Sequence, residues 1–129
     1  MDTFELLTNA HNQYAEALTR HQDALELVHE AQHDLDLVVH KTVIEQFDVL
    51  TSARNEREYK LRYAKYIDGN EAVTEARAAF VDAQIYATET EANKKVAYDW
   101  TLMARTFVNS LSQQGTITTG DLNGNPRAE

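Results

Sequence analysis

Cysteine is absent from this sequence, which rules out disulfides, thiolate metal sites and cysteine nucleophiles. Proline occurs once, at Pro126, and three of the four glycines (Gly115, Gly120, Gly124) crowd the C-terminus. Between residues 3 and 113 only Gly69 interrupts, so composition predicts an all-α chain. Long apolar runs are missing too. None approaches the roughly 20 residues that span a bilayer, and the N-terminus shows no basic, apolar signal segment. The expectation is a single soluble domain, cytoplasmic and not membrane-bound. Gly-rich phosphate loops, nucleophile elbows and paired-carboxylate sites are also lacking. A non-enzymatic protein without cofactors follows.

Basic residues are scarce: 12 against 21 acids, for a net charge of −9. Their distribution is uneven, with residues 1–53 at −8, residues 54–66 at +3 and residues 67–129 at −4. An acidic surface repels phosphate backbones at long range, which disfavours broad binding along duplex DNA. The stretch ARNEREYKLRYAKY, residues 53–66, runs against the rest. It holds five of the twelve basic residues and three of the six tyrosines.

The apolar pattern predicts two long helices. Stepping by three and four from Phe4 gives Phe4, Leu7, His11, Tyr14, Leu18, His21, Leu25, Val28, Gln32, Leu35, Val39, Thr42, Gln46 and Val49, an amphipathic helix over about 3–52. A second row, Ala10, Ala17, Ala24, Ala31 and Val38, runs along its edge every seven residues and lets a neighbouring helix approach closely. In the second half Ala72, Ala76, Ala79, Ala83, Tyr86, Thr90, Asn93, Ala97, Trp100, Ala104, Phe107 and Leu111 keep the same alternation, with Val73 and Phe80 widening the stripe. This predicts a helix over 71–113 that stops at Gly115. The tail 115–129 reads as mostly disordered.

Asn55 followed by Glu58 fits a capping-box-like start, and Asp68-Gly69-Asn70-Glu71 reads as a turn with Asp68 or Asn70 capping a fresh helix. The basic stretch is then a short helix, about 56–67, joining the long ones. The expected fold is a long antiparallel helical hairpin, coiled-coil-like, with a short connecting helix, occupying residues 1–114. Two such helices, the first of 50 residues and about 75 Å long, leave large residues outside the narrowest seam: Leu6, Leu27, Leu37, Val43, Ile44, Phe47, Ile85, Val96, Leu102, Met103 and Val108. Burying these is worth many kcal/mol, and exposing them creates an association surface. A homo-oligomer, a dimer or larger bundle, is expected.

Two constellations could carry chemistry. His29, His33, Asp36 and His40 share one helix face, and a His pair four residues apart can hold a metal; the alternative is a solvated flank of ordinary histidines, and no metal is assigned. Seam His11 and His21, with Gln32, Thr42, Gln46, Thr90 and Asn93, read as register-fixing polar positions. In the basic stretch Arg54, Arg57, Lys60 and Arg62 can meet phosphates, and Tyr59, Tyr63 or Tyr66 can stack on a base. Against that, the cations can pair with nearby acids while the tyrosines cap the bundle.

The segment ARNEREYKLRYAKYID, between two acidic amphipathic helices, resembles a loose group of small phage-encoded helical-hairpin proteins. The likeness covers about residues 5–110 and is most pointed at Arg54-Asn55-Glu56-Arg57. It implies a phage accessory protein acting in the host cytoplasm, a class that includes inhibitors of host antiviral defence and helpers of DNA metabolism. The expected function is a binding protein that sequesters a nucleotide signal or grips a host defence protein. The alternatives are a recombination or replication accessory and a structural coiled-coil scaffold.

Overall fold

The computed structural model describes residues 2–123, with side chains as far as 113. Helix α1 spans Thr3–Glu45, α2 Phe47–Thr51, α3 Glu56–Tyr63 and α4 Glu71–Asn123. A π-helical turn over Ala64–Asp68 extends α3, and no strand occurs among the described residues. Helix α1 packs on α4 in antiparallel sense, as a helical hairpin requires. No described helix is long and apolar enough to cross a membrane.

Local signals set the helix starts. The Asp2 carboxylate accepts from the Glu5 amide at 2.7 Å and opens α1. Asn55, in extended backbone, accepts from the Glu58 amide at 2.8 Å and opens α3. Asn70, rather than Asp68, caps α4 through the Val73 amide at 3.2 Å. Each cap satisfies an amide that the first turn of a helix leaves without a partner. The expected single helix over 3–52 is interrupted at Gln46, whose ψ of 16° leaves the α-helical range. The flanking bonds Gln46 N–H to Thr42 carbonyl (2.9 Å) and Leu50 N–H to Gln46 carbonyl (3.0 Å) persist, so the direction of the chain adjusts without unwinding. At the far end α4 passes the expected stop and continues through Gly115 and Gly120 to Asn123. Glycine within a helix costs only about 1 kcal/mol relative to alanine, and no proline lies before Pro126 to force an end. Residues 124–129 of the expected tail lie outside the described residues.

The chain divides into two compact units, a turn unit of His21–Thr90 and a terminal unit of Met1–Arg20 with Glu91–Glu129. In the turn unit Leu50, Ile67 and Val73 are buried, and Ile67 and Val73 are the largest fully buried side chains. Their burial contributes roughly 2–3 kcal/mol each. The π-turn places Ile67 there. The Gly69 amide bonds the Ala64 carbonyl five residues back at 3.0 Å, and a Cβ on Gly69 would sit 2.7 Å from the Lys65 carbonyl oxygen. Glycine is required by this close approach, since its φ of −84° is ordinary.

Along α1 of the turn unit the buried and half-buried positions are His21, Ala24, Val28, Ala31, Leu35, Val38, Val39, Thr42 and Val43. On α4 they are Val73, Ala76, Phe80, Ala83, Ala87 and Thr90. Among the described residues of the terminal unit they run Leu6, Leu7, Thr8, Ala10, Tyr14, Ala17 and Leu18 on α1, and Lys94, Ala97, Thr101, Ala104 and Val108 on α4. The seam therefore includes the alanine row that the sequence placed at the edge. Of the rows expected in the seam, Phe4, His11, Leu25, Gln32, Ala72, Ala79, Tyr86, Asn93, Trp100, Phe107 and Leu111 are exposed. Small side chains let two helical backbones approach closely, and bulky ones are displaced to the flanks.

Two threonines tie the helices together. In the terminal unit the Thr101 hydroxyl donates to the Ala97 carbonyl at 3.1 Å and lies 3.4 Å from the Ala10 carbonyl across the seam. In the turn unit buried Thr90 donates to the Ala87 carbonyl at 2.9 Å and meets His21 Nδ1 at 3.0 Å. With its proton on Ala87, Thr90 can only accept, which puts the His21 proton on Nδ1. His21 is thus a register pin of the kind the sequence suggested, whereas His11 faces solvent.

Candidate functional site

The basic helix α3 is built as a self-contained charge cluster. Helix spacing sets Glu58 four residues after Arg54 and four before Arg62. Arg54 Nε donates to Glu58 Oε2 at 3.1 Å, and Arg62 Nη2 donates to the other carboxylate oxygen. This lowers the Glu58 pKa from its ordinary value: the hydrogen bond from Arg54 is the main cause, and the charges of both arginines add to it. Lys60 pairs with Glu56 at 3.3 Å in full solvent. Arg54, Lys60 and Arg62 thus find acids on α3. Glu58 engages the arginines instead of reaching back to the Asn55 amide, so the capping box is half formed.

Arg62 has a further role. Its Nη1 donates to the Val49 carbonyl at 2.7 Å and to the Ser52 hydroxyl. These bonds fasten α3 onto the end of α2 and leave little of the fork for a ligand. Arg57 differs: it is exposed and has no ion-pair partner among the described residues. With Glu56, Lys60 and the exposed Leu61 it lines an open depression of about 420 Å³.

The three tyrosines do not form one platform. Tyr59 and Tyr63 lie 6.2 Å apart at 37°, with Tyr59 exposed and Tyr63 half-buried. Tyr66 carries the Lys65 ammonium 5.2 Å from its ring centre. It borders a separate open hollow of about 460 Å³ with Val49, Ser52, Glu58, Leu61, Arg62 and Lys65. The seven sequence-predicted site residues therefore fall into two sets: Arg54, Arg57, Tyr59 and Lys60 are exposed, while Arg62, Tyr63 and Tyr66 are half-buried.

The histidine row is not gathered into a metal centre. His29, His33, Asp36 and His40 are all exposed, and no group of three or more His, Asp or Glu among the described residues is placed to hold a metal ion. Asp36 and His40 instead edge an open groove of about 430 Å³ shared with Leu35, Val39, Val43, Tyr63 and Arg77.

A different cluster lies in the terminal unit, where Tyr14, Lys94, Lys95, Tyr98 and Asp99 line a cleft of about 330 Å³. The pair Lys94-Lys95 followed by Tyr98 was visible in the sequence. Only the fold brings Tyr14 against it, with ring centres 5.5 Å apart.

No protein-family model, no curated protein sequence and no solved structure matches this chain. Function must be argued from the geometry itself.

Proposed function

We propose that this chain is a non-enzymatic binding protein that works as a self-assembled helical bundle. One observation carries the reading: the buried positions of the seam are mostly alanine and threonine, and many large apolar side chains stand in solvent. Leu27, Leu37, Ile44, Phe47, Ile85, Val96, Leu102 and Met103, expected outside the seam, are all exposed. In the terminal unit Val96, Trp100, Met103 and Phe107 step by four, three and four along α4 and form a second stripe beside the seam positions. That spacing is the recognition pattern of helix-on-helix association. Exposed apolar stripes of this kind mark interaction surfaces in soluble proteins.

Light scattering should give a mass that is a multiple of 14.7 kDa. Replacing both Met103 and Phe107 by glutamate should lower it. A 14.7 kDa species at all concentrations, with full helicity, would sink the assembly.

The contact that such an assembly offers to others is α3. Exposed Arg57, without an acidic partner among the described residues, favours an anionic target. On the phage resemblance this target is a nucleotide signal or an acidic face of a host defence protein. A DNA-metabolism accessory would use the same cations on single strands. Titration with nucleotides and with single-stranded DNA separates these, and Arg57→Glu should abolish whichever binds.

A further inference from the structure

Lys94 occupies a place in the 3-4 row of α4 between Thr90 and Ala97, where, among the described residues, every other buried or half-buried position of the terminal unit on that helix is Ala, Thr or Val. A lysine in such a row costs stability. It is half-buried, as suits a side chain whose apolar stem tolerates burial and whose ammonium requires water. Lys95 lies beside it and is exposed. Neither ammonium has an ion-pair partner among the described residues, although Asp99 lines the same cleft.

Two tyrosines complete the cleft. Tyr14 and Tyr98 are tilted at 57° with centres 5.5 Å apart, too close to admit a third ring between them. Tyr98 is the more exposed of the two rings, at 47%, and so the one on which a ligand ring would lie. A flat ring can lie on its face, while an anionic group attached to that ring meets the lysines. Asp99 remains to accept from a donor on the ring. The volume of about 330 Å³ suits a ligand of a few fused rings at the small end of ordinary sites.

We infer that this cleft binds a small aromatic anion, an aromatic ring bearing a phosphate or carboxylate. The inference uses no residue of α3 and does not require assembly. Ring stacking and charge-assisted hydrogen bonds each supply enough to discriminate a ligand carrying both features from one carrying either alone.

The test is calorimetric titration of the full chain with phenyl phosphate and adenosine 5′-monophosphate, against adenosine and inorganic phosphate. The two aromatic anions should bind at least about tenfold more tightly than adenosine or phosphate. Lys94→Met and Lys95→Met, which keep an apolar stem, should each weaken them by about tenfold. Tyr98→Leu, at an exposed position, should weaken both, and Arg57→Ala should change neither. Absence of heat with both aromatic anions up to about 5 mM would overturn the inference, as would inorganic phosphate binding equally well or full binding by Lys94→Met. Light scattering on the same samples reads the assembly separately, so the two proposals fail independently.

Discussion

The two units of this chain use the same pair of helices and bury very different things. Among the described residues the turn unit buries Leu50, Ile67 and Val73 along with its alanines and threonines, whereas the terminal unit buries only Ala10, Thr101 and Ala104. Ordering a backbone costs on the order of 1–2 kcal/mol per residue, and alanine burial returns little against it. The turn unit has a local core and the terminal unit has an adhesive seam. A two-helix seam of alanines is a docking geometry that needs a further surface before it becomes a stable core.

That difference can be broken most visibly by dilution. If the terminal unit draws its stability from other copies, hydrogen exchange at Ala97–Ala104 should lose protection as the protein is diluted, while amides around Ile67 and Val73 keep theirs. Equal loss in both units would remove the distinction. Next in size, Ile67→Ala should cost about 2–5 kcal/mol in denaturant unfolding, whereas Ala104→Gly in the terminal unit should cost about 1 kcal/mol. Gly69→Ala pushes a methyl group onto the Lys65 carbonyl and should destabilise by roughly 1–3 kcal/mol; a neutral result would mean that the π-turn relaxes freely.

Smaller effects sharpen the picture of α3. Arg62→Ala should cost about 1–2 kcal/mol because the Val49 carbonyl loses its partner. Arg54→Ala, at a side chain 86% exposed, should change stability by less than about 0.5 kcal/mol. Smallest is the acid response of Glu58. Its folded pKa is lowered from 4.5, so its contribution is complete above that value and disappears as pH falls through the lower folded one. The Tm difference between the wild type and Glu58→Gln should therefore be constant near neutrality and close in acid. A gap that widens on acidification would contradict the arginine clasp.

The hairpin and the cap at Asn55 were legible in the sequence, the α4 cap was narrowed to Asp68 or Asn70, and of the large residues set outside the seam all but Leu6, Val43 and Val108 are exposed, because each depends on neighbours within a turn or on helical phase. The seam was legible by halves. Positions such as His21, Val28, Ala83 and Ala104 fall in it, but hydropathy paired them with Leu25, Trp100 and Phe107, where close packing selects Ala24, Thr101 and Val108. Apolar content measures what benefits from leaving water, while helix approach is limited by bulk, and the two criteria diverge along this chain. The candidate site was misjudged for a related reason. Charge counting found Arg62 but could not foresee its bonds to Val49 and Ser52. Nor could local spacing bring Tyr14 to Tyr98, since only the antiparallel fold does so.

The wide turn at Ala64–Asp68 acts as a phase setter. It holds one residue more than an ordinary helical turn, and each residue rotates a helix by about 100°. Removing Ala64 should rotate Arg62 away from its acceptors on Val49 and Ser52 relative to the buried Ile67. The direction in which the cationic face of α3 looks is thus written into one extra peptide, and could be re-aimed by a deletion without altering any of the charges.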